Sequence, residues 1–255
     1  MPHSPYQYPA DGFHIARGLI PGIDYISKFG RNPAVGTSWE DVWAAGGTWQ
    51  QSPTSTALAV YSDNAADNGT TITGALTLEL SGLNASYERI TETVTLNGTT
   101  TVTSLNVFRH LSRAIVKTAG TSEVNTGNIS IRAVGYTTQG YIVADYGQTQ
   151  IGIYQIPANY TGYIMHAGFG VQDVSANPTM DCQILCKPFG GAWNLKRDYQ
   201  LLNTGSSVIE ESYQFGPIVC EEKTIIKTRA KGSSGSSDVN ATFVVWLVAN
   251  AGSGL

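Results

Sequence analysis

Most of the chain alternates between apolar and polar positions with a period of two residues, which is typical of half-buried β-strands. The stretch from residue 84 to 103 shows this pattern most clearly. Ile90, Val94 and Leu96 fall on one face of the predicted strand, and threonines occupy much of the other face. Asn97-Gly98 follows, and both residues tolerate the positive φ angles of a tight turn. We therefore predict an antiparallel strand that ends in a hairpin turn.

The same alternation recurs from Thr56 to the end of the chain and predicts about thirteen strands, separated by turn sequences rich in Asn, Gly and Ser. Short strands at this spacing, with no long helical pattern between them, indicate an all-β fold. About thirteen strands are more than one immunoglobulin-like sandwich uses. The prediction is an antiparallel β-sandwich, either one large jelly-roll-like unit or two sandwiches in series. The predicted strands are 56–62, 70–80, 86–96, 104–118, 129–136, 141–144, 151–156, 163–171, 180–188, 193–202, 207–215, 223–230 and 241–249.

Residues 1–52 differ from the rest because they carry many prolines and little alternation. Prolines block helix interiors and central strands, so an extended N-terminal arm is predicted. A short helix is predicted over Trp39–Ala45, where Thr37 and Ser38 can cap its start and glycines end it. The predicted domains are the arm (1–52), a first sandwich region (53–150) and a second (151–255), with the alternative that the two regions form one domain.

Aromatic side chains in the arm need a surface to cover. They pack either on this chain's own sheet or on a neighbouring subunit. For the second case they are candidate assembly contacts, and these candidates are Tyr6, Tyr8, Phe13, Phe29, Trp39, Trp43 and Trp49.

Composition narrows the classes of partner. Of the 255 residues 42% are hydrophobic and only 13% are charged, against roughly 25% charged in an average soluble domain. The net charge of −4 has no basic run, so neither nucleic acid nor an anionic membrane surface is an expected partner. The longest apolar run, Phe243–Ala249, is too short to cross a bilayer as a helix.

No catalytic, cofactor-binding or metal-binding constellation stands out. The four histidines show no zinc spacing, and the three cysteines are an odd number that we interpret as reduced thiols of a bacterial-type cytoplasm. Cys182 and Cys186 fall on one face of a predicted strand, which suits two small buried side chains. Neighbouring acids such as Glu210-Glu211 would point to opposite faces, a poor geometry for a glycosidase. Exposed aromatics on such a scaffold could instead bind sugars.

Three segments resemble structural proteins of tailed bacteriophages, of the capsid decoration or cement type found in marine and freshwater phages. The first is Ile20-Pro-Gly…Lys28-Phe-Gly-Arg-Asn-Pro33 followed by Glu40-Asp-Val-Trp-Ala-Ala-Gly-Gly47. The second is residues 84–116, and the third combines Cys186-Lys-Pro-Phe-Gly-Gly191 with residues 222–232 and 239–243.

The resemblance implies a virion component that is not an enzyme and needs no cofactor. Its partners would be a major capsid protein or other virion proteins, and it would form a homo-oligomer, with a trimer favoured. It would be located in the virion and assembled in the bacterial host cytoplasm. A tail, neck or baseplate component, or a receptor- or carbohydrate-binding module of the virion, is the alternative.

Overall fold

The computed structural model describes residues 8–70, 73–135, 137–173, 179–202, 206–212 and 216–252. Within them the fold is nearly all β, and every strand pair is antiparallel, which confirms the predicted fold class. The elements are α1 (Tyr8–Ala16), β1 (Ile23–Val35), β2 (Glu40–Asp41), β3 (Thr56–Ser62), β4 (Ala75–Leu83), β5 (Arg89–Thr95), β6 (Val102–Phe108), β7 (His110–Ala119), β8 (Ile129–Ala133), β9 (Thr138–Ile142), β10 (Ile153–Gln155), β11 (Tyr160–Asp173), β12 (Thr179–Lys187), β13 (Asn194–Leu202), β14 (Ser206–Ser212), β15 (Ile218–Cys220), β16 (Ile225–Gly232) and β17 (Ser237–Ala249).

The strands build two sandwiches with separate cores. In lobe 1, the sheet β6-β3-β8-β9 packs on the sheet β5-β4-β7 around Leu58, Leu78 and Phe108. In lobe 2, the sheet β1-β17-β11-β14, with β15 also on β11, packs on β10-β16-β12-β13, where β2 joins β16. Phe169 and Phe243 are fully buried between these two sheets. The assignment of the lobes to separate domains stays a prediction.

The strand predicted within residues 84–103, β5, has the predicted faces but a different partner strand. Val94 and Leu96 are buried, and the threonines at 91, 93 and 95 are exposed. However, β5 pairs with β4, whereas β6 pairs with β3 in the other sheet of lobe 1. Gly98 has the predicted positive φ of 58°. The turn therefore carries the chain from one sheet to the other, and the predicted hairpin is wrong.

The predicted arm is wrong over residues 23–35, which form β1, an edge strand of lobe 2 paired along its length with β17. The strand tolerates Pro33 because its register is interrupted between Asn32 and Val35 and its outer edge needs no ladder partner. Gly30 is required by a close approach, since a Cβ atom there would lie 2.1 Å from the Val42 carbonyl oxygen. Pro33 is therefore compatible with a strand because β1 lies at the edge of its sheet.

The helix predicted at Trp39–Ala45 is also wrong. Glu40 and Asp41 form β2, and turns follow through Gly46 and Gly47, both with positive φ. The Asp41 carboxylate is buried and lies 2.9 Å from the Lys227 ammonium. A buried charge requires an oppositely charged partner, and this tertiary ion pair outweighs the local helix propensity of residues 39–45. The short helix of this region is α1, nearer the N-terminus. None of the described helices is long and apolar enough to span a membrane.

Candidate functional site

The predicted assembly contacts do not form one surface. Tyr6 lies outside the described residues, and Tyr8 is placed only as the first residue of α1. Phe13, also on α1, is 61% exposed. Phe29 and Trp39 are half-buried, and each ring has cationic side chains over it: Arg113 over Phe29, and Arg229 and Lys231 over Trp39. Exposure leaves Phe13 as the candidate best placed to reach a partner.

The structure does not support Trp43 and Trp49 as assembly contacts, because both side chains are buried within the chain. They form a third apolar cluster with Ile151, Ile153 and Ile225. The Trp49 indole nitrogen donates a hydrogen bond to the Gln139 carbonyl of lobe 1, while Ile225 belongs to lobe 2. These two tryptophans therefore join the lobes, and they offer little surface to another subunit.

The thiols and histidines are not arranged for catalysis. All three cysteines are buried, and Cys186 Sγ lies 3.5 Å from Cys220 Sγ across the lobe 2 core. Burial raises the pKa of the Cys182 thiol, and the hydrogen bond to Cys186 together with burial raises the pKa of Cys220. The same hydrogen bond lowers the pKa of Cys186, but all three thiols are buried, whereas reactive cysteines are partly exposed. Within the described residues no group of three His, Cys, Asp or Glu side chains could hold a metal ion.

His166 and Ser212 form an arrangement, not foreseen from the sequence, in which a hydroxyl lies beside an imidazole. They face each other on β11 and β14, with His166 Nδ1 3.2 Å from the serine oxygen. Among the described residues, no carboxylate hydrogen-bonds to the imidazole to orient it. A catalytic triad needs that third group and an oxyanion-binding site. The pair is therefore a cross-strand hydrogen bond on an exposed surface.

A cleft of about 320 Å³ separates the edge strand β1 from the outer face of the β5-β4-β7 sheet of lobe 1. Lys28 points into this region from β1, and its ammonium donates a hydrogen bond to the Ser112 carbonyl. Burial, reinforced by Arg113, lowers the pKa of Lys28 to about 7. Arg89 bridges the lobes through Asp24, at 2.6 Å, and the Tyr160 hydroxyl. The cleft is a basic contact zone between the lobes.

A surface that the sequence interpretation missed is the side of lobe 2 formed by β13, β14 and β15, which we call the lateral side. Among the described residues β13 pairs with β12, while β14 and β15 pair with β11, and no further strand pairs with their outer edges. Val208 is 71% exposed. Other exposed apolar side chains on these strands are Leu195, Leu202 and Val219. Free edges that carry apolar side chains are typical protein-pairing sites.

The two main strands of the lateral side carry opposite charges. Lys196 and Arg197 lie on β13, and Glu210 and Glu211 lie on β14. The strands are joined at mid-length, because the Tyr199 hydroxyl donates a 2.7 Å hydrogen bond to Glu211. The sequence of β14 contains one feature that could have indicated this surface. Val208 shares a strand face with Glu210 and Ser212, so an apolar residue interrupts a polar face.

Comparisons with known proteins were made for sequence and for structure. No protein-family description and no curated protein matches the chain. Among solved structures, the chain is similar to a cowpea mosaic virus empty virus-like particle (6% identity, 76% of this chain and 81% of that chain, TM-score 0.24). It is also similar to infectious bursal disease virus strain Gx (11%, 90% and 73%, TM-score 0.26) and to broad bean stain virus (9%, 80% and 91%, TM-score 0.22).

Proposed function

We propose that the protein is a non-enzymatic structural component of a virion, and specifically a capsid cement or decoration protein that stabilises the head lattice as a homo-oligomer. The observation that carries the proposal is the lateral side, where strand edges with no strand partner among the described residues carry exposed apolar side chains. The resemblance of three sequence segments to tailed-phage structural proteins supports a virion as the setting of this proposed assembly role. A tail, neck or baseplate component is the alternative.

A second copy of the chain is the occupant that best fits the lateral side. Lys196 on β13 of one copy can face Glu210 on β14 of the next, so the surface is complementary to itself. Because both strands lie on the same side of lobe 2, β13 of each copy can meet β14 of the other in an isologous interface, which closes with two copies around a two-fold axis.

Substituting Val208→Lys should convert the oligomer to a monomer. The new ammonium group would have to be desolvated on association, which costs several kcal/mol when no partner charge is present. Analytical ultracentrifugation at matched concentrations measures the change. The control is Leu105→Lys, because Leu105 is 95% exposed on β6 of lobe 1, away from the lateral side. A wild-type chain that remains monomeric at micromolar concentration would contradict the proposed oligomer.

A charge exchange tests the pairing of the two strands. Lys196→Glu or Glu210→Lys alone should weaken association because each places like charges opposite one another. The double variant restores opposite charges and should recover most of the association. If the double variant associates no better than either single variant, β13 and β14 do not meet across the interface.

The capsid role requires a separate experiment. Deleting residues 1–22 removes α1 and its exposed Phe13 but leaves β1 intact, so lobe 2 retains its sheet. We expect the shortened chain to fold and to bind capsids less tightly, measured by co-sedimentation with particles.

Quantitative mass spectrometry of virions distinguishes head decoration from a tail or neck location. A copy number comparable to that of the major capsid protein supports decoration, and a far lower copy number supports the tail or neck.

A further inference from the structure

A second surface, independent of the lateral side, lies where the lobes meet. Two adjoining depressions of about 300 and 380 Å³ share Gln51, Arg109, Lys187 and Ile225, and we call them together the junction groove. Lobe 1 supplies Arg109, between β6 and β7. Lobe 2 supplies the end of β12 and the loop 188–193, and residues 48–53 cross between them.

The floor of the junction groove is fixed by side-chain amides. The Gln51 amide nitrogen donates a 2.7 Å hydrogen bond to the Gln155 side-chain oxygen and a 3.3 Å hydrogen bond to the Arg109 carbonyl. The Gln155 amide in turn donates to the Lys223 carbonyl at 2.9 Å. These bonds connect both lobes, so the groove is preorganised and a ligand need not order its floor.

The charge of the junction groove is opposite to that of the whole chain. Its described lining includes the cations Arg109, Lys187, Lys223 and Lys227 and no acidic residue, although the chain carries a net charge of −4. Asp41 neutralises Lys227 at 2.9 Å, and Glu222 lies 3.7 Å from Lys223. The chain thus balances Lys227 and partly balances Lys223, and the remaining cations of the groove are Arg109 and Lys187.

Two of these cations have no carboxylate partner among the described residues. The Arg109 guanidinium is positioned by the Tyr87 hydroxyl, at 3.2 Å, and by the Ser52 carbonyl. The half-buried Lys187 ammonium makes no salt bridge or side-chain hydrogen bond with the described part of the chain. A guanidinium held by neutral acceptors and a free ammonium are the donors that an anionic ligand group uses.

Aromatic rings border the same cations. Phe189 is 63% exposed and Trp193 is 37% exposed, and both belong to the loop Pro-Phe-Gly-Gly-Ala-Trp at residues 188–193. The Lys223 ammonium lies 5.3 Å from the centre of the Phe189 ring, and the Lys227 ammonium lies 4.5 Å from that of Trp193. Exposed rings beside this floor offer flat apolar surfaces.

We propose that the junction groove binds an acidic oligosaccharide, with uronic acid carboxylates on Lys187 and Arg109 and the apolar faces of sugar rings on Phe189 and Trp193. Single-stranded nucleic acid also combines phosphates with stacking rings, but it needs a positive track along several nucleotides. The two groove cations without a described carboxylate partner, Arg109 and Lys187, are isolated charges and do not form a continuous track, which favours a ligand with separated charges. The site would function whether or not the lateral side forms an oligomer.

Isothermal titration with β-1,4-linked hexamannuronate tests the site, and the neutral β-1,4-mannohexaose is the matched ligand without carboxylates. We expect hexamannuronate to bind, its affinity to fall as salt screens the charges, and mannohexaose to bind at least tenfold more weakly. Equal binding of the two sugars, or no binding of hexamannuronate, would overturn the proposal. A short oligothymidylate that binds more tightly than hexamannuronate would overturn it in favour of nucleic acid.

Variants locate the binding in the groove. Lys187→Gln should lower the affinity for hexamannuronate about tenfold, as expected for one charged hydrogen bond. Trp193→Ala should lower it by a similar factor with little change in salt dependence, because the ring contributes contact area. The control Lys117→Gln removes an exposed cation of β7 that pairs with Glu79 in lobe 1, and it should bind like the wild type. Wild-type affinity in both groove variants would exclude this location.

Discussion

Replacing Asp67 by alanine should lower the free energy of unfolding by about 4 kcal/mol. This carboxylate is fully buried and accepts four hydrogen bonds, from the backbone N–H groups of Ala75, Thr126 and Gly127 and from the Ser62 hydroxyl. It ties together loops at one end of lobe 1. Alanine would leave three backbone donors and a hydroxyl buried without their acceptor, and each carries a desolvation cost.

Asp63→Ala provides the control for this effect. Asp63 lies in the same loop and accepts two hydrogen bonds from Asn128, at 2.8 and 2.7 Å, but its side chain is exposed. Water can replace it, so a loss below about 1 kcal/mol is expected. Urea unfolding should be followed by circular dichroism, because all five tryptophans lie outside residues 56–142. Equal losses in the two variants would show that burial is not the cause.

The sequence predicts the strands of this protein better than their pairing. Alternation identifies β5 correctly because each side chain responds locally to the core on one side and water on the other. Pairing depends on residues far away in the chain, so the turn at Asn97-Gly98 could not reveal that β6 joins β3. The predicted strand 104–118 is two strands because Arg109 donates its backbone N–H to Leu83 of β4 and changes the direction of the chain.

The functional surfaces were harder to predict than the fold, for a related reason. Trp43 and Trp49 stood out as aromatics that need a partner surface, but the lobe junction supplies that surface within the chain. The junction groove collects Arg109, Lys187 and Lys223 from three separate parts of the sequence, where each looks like an ordinary surface cation. The net charge of −4 gives no sign of the junction groove either, because a total over the whole chain does not show a local excess of cations.

Replacing Lys28 by methionine should raise the free energy of unfolding at pH 7 by about 3 kcal/mol. Lys28 is 3% exposed, and the charged groups that act on it are cations: Arg113 reinforces its low pKa, and it in turn helps to lower the pKa of His110. Its folded pKa of about 7 lies below the ordinary lysine value of 10.5, so the unfolded chain binds this proton more tightly. The Ser112 carbonyl loses its hydrogen-bond donor in this variant, which reduces the gain in the free energy of unfolding.

The sign of the pH dependence follows from the same difference. The stability that Lys28 permits is fully present above pH 10.5 and is lost as pH falls to about 7, because only the unfolded chain is protonated in this window. His110, whose pKa is lowered to about 3 by burial, by Lys28 and by Arg109, adds a second loss between pH 6.5 and 3.

Urea unfolding of the wild type from pH 7 to 10 should therefore show stability rising by up to about 1.4 kcal/mol per pH unit from Lys28. Lys28→Met should remove that rise and leave the loss below pH 6.5 in place, because His110 remains buried. Lys117→Met, an exposed lysine on β7, should keep the rise. If Lys28→Met is less stable at pH 7 and still gains stability toward pH 10, the ammonium is solvated by the cleft, and the lobes meet around water.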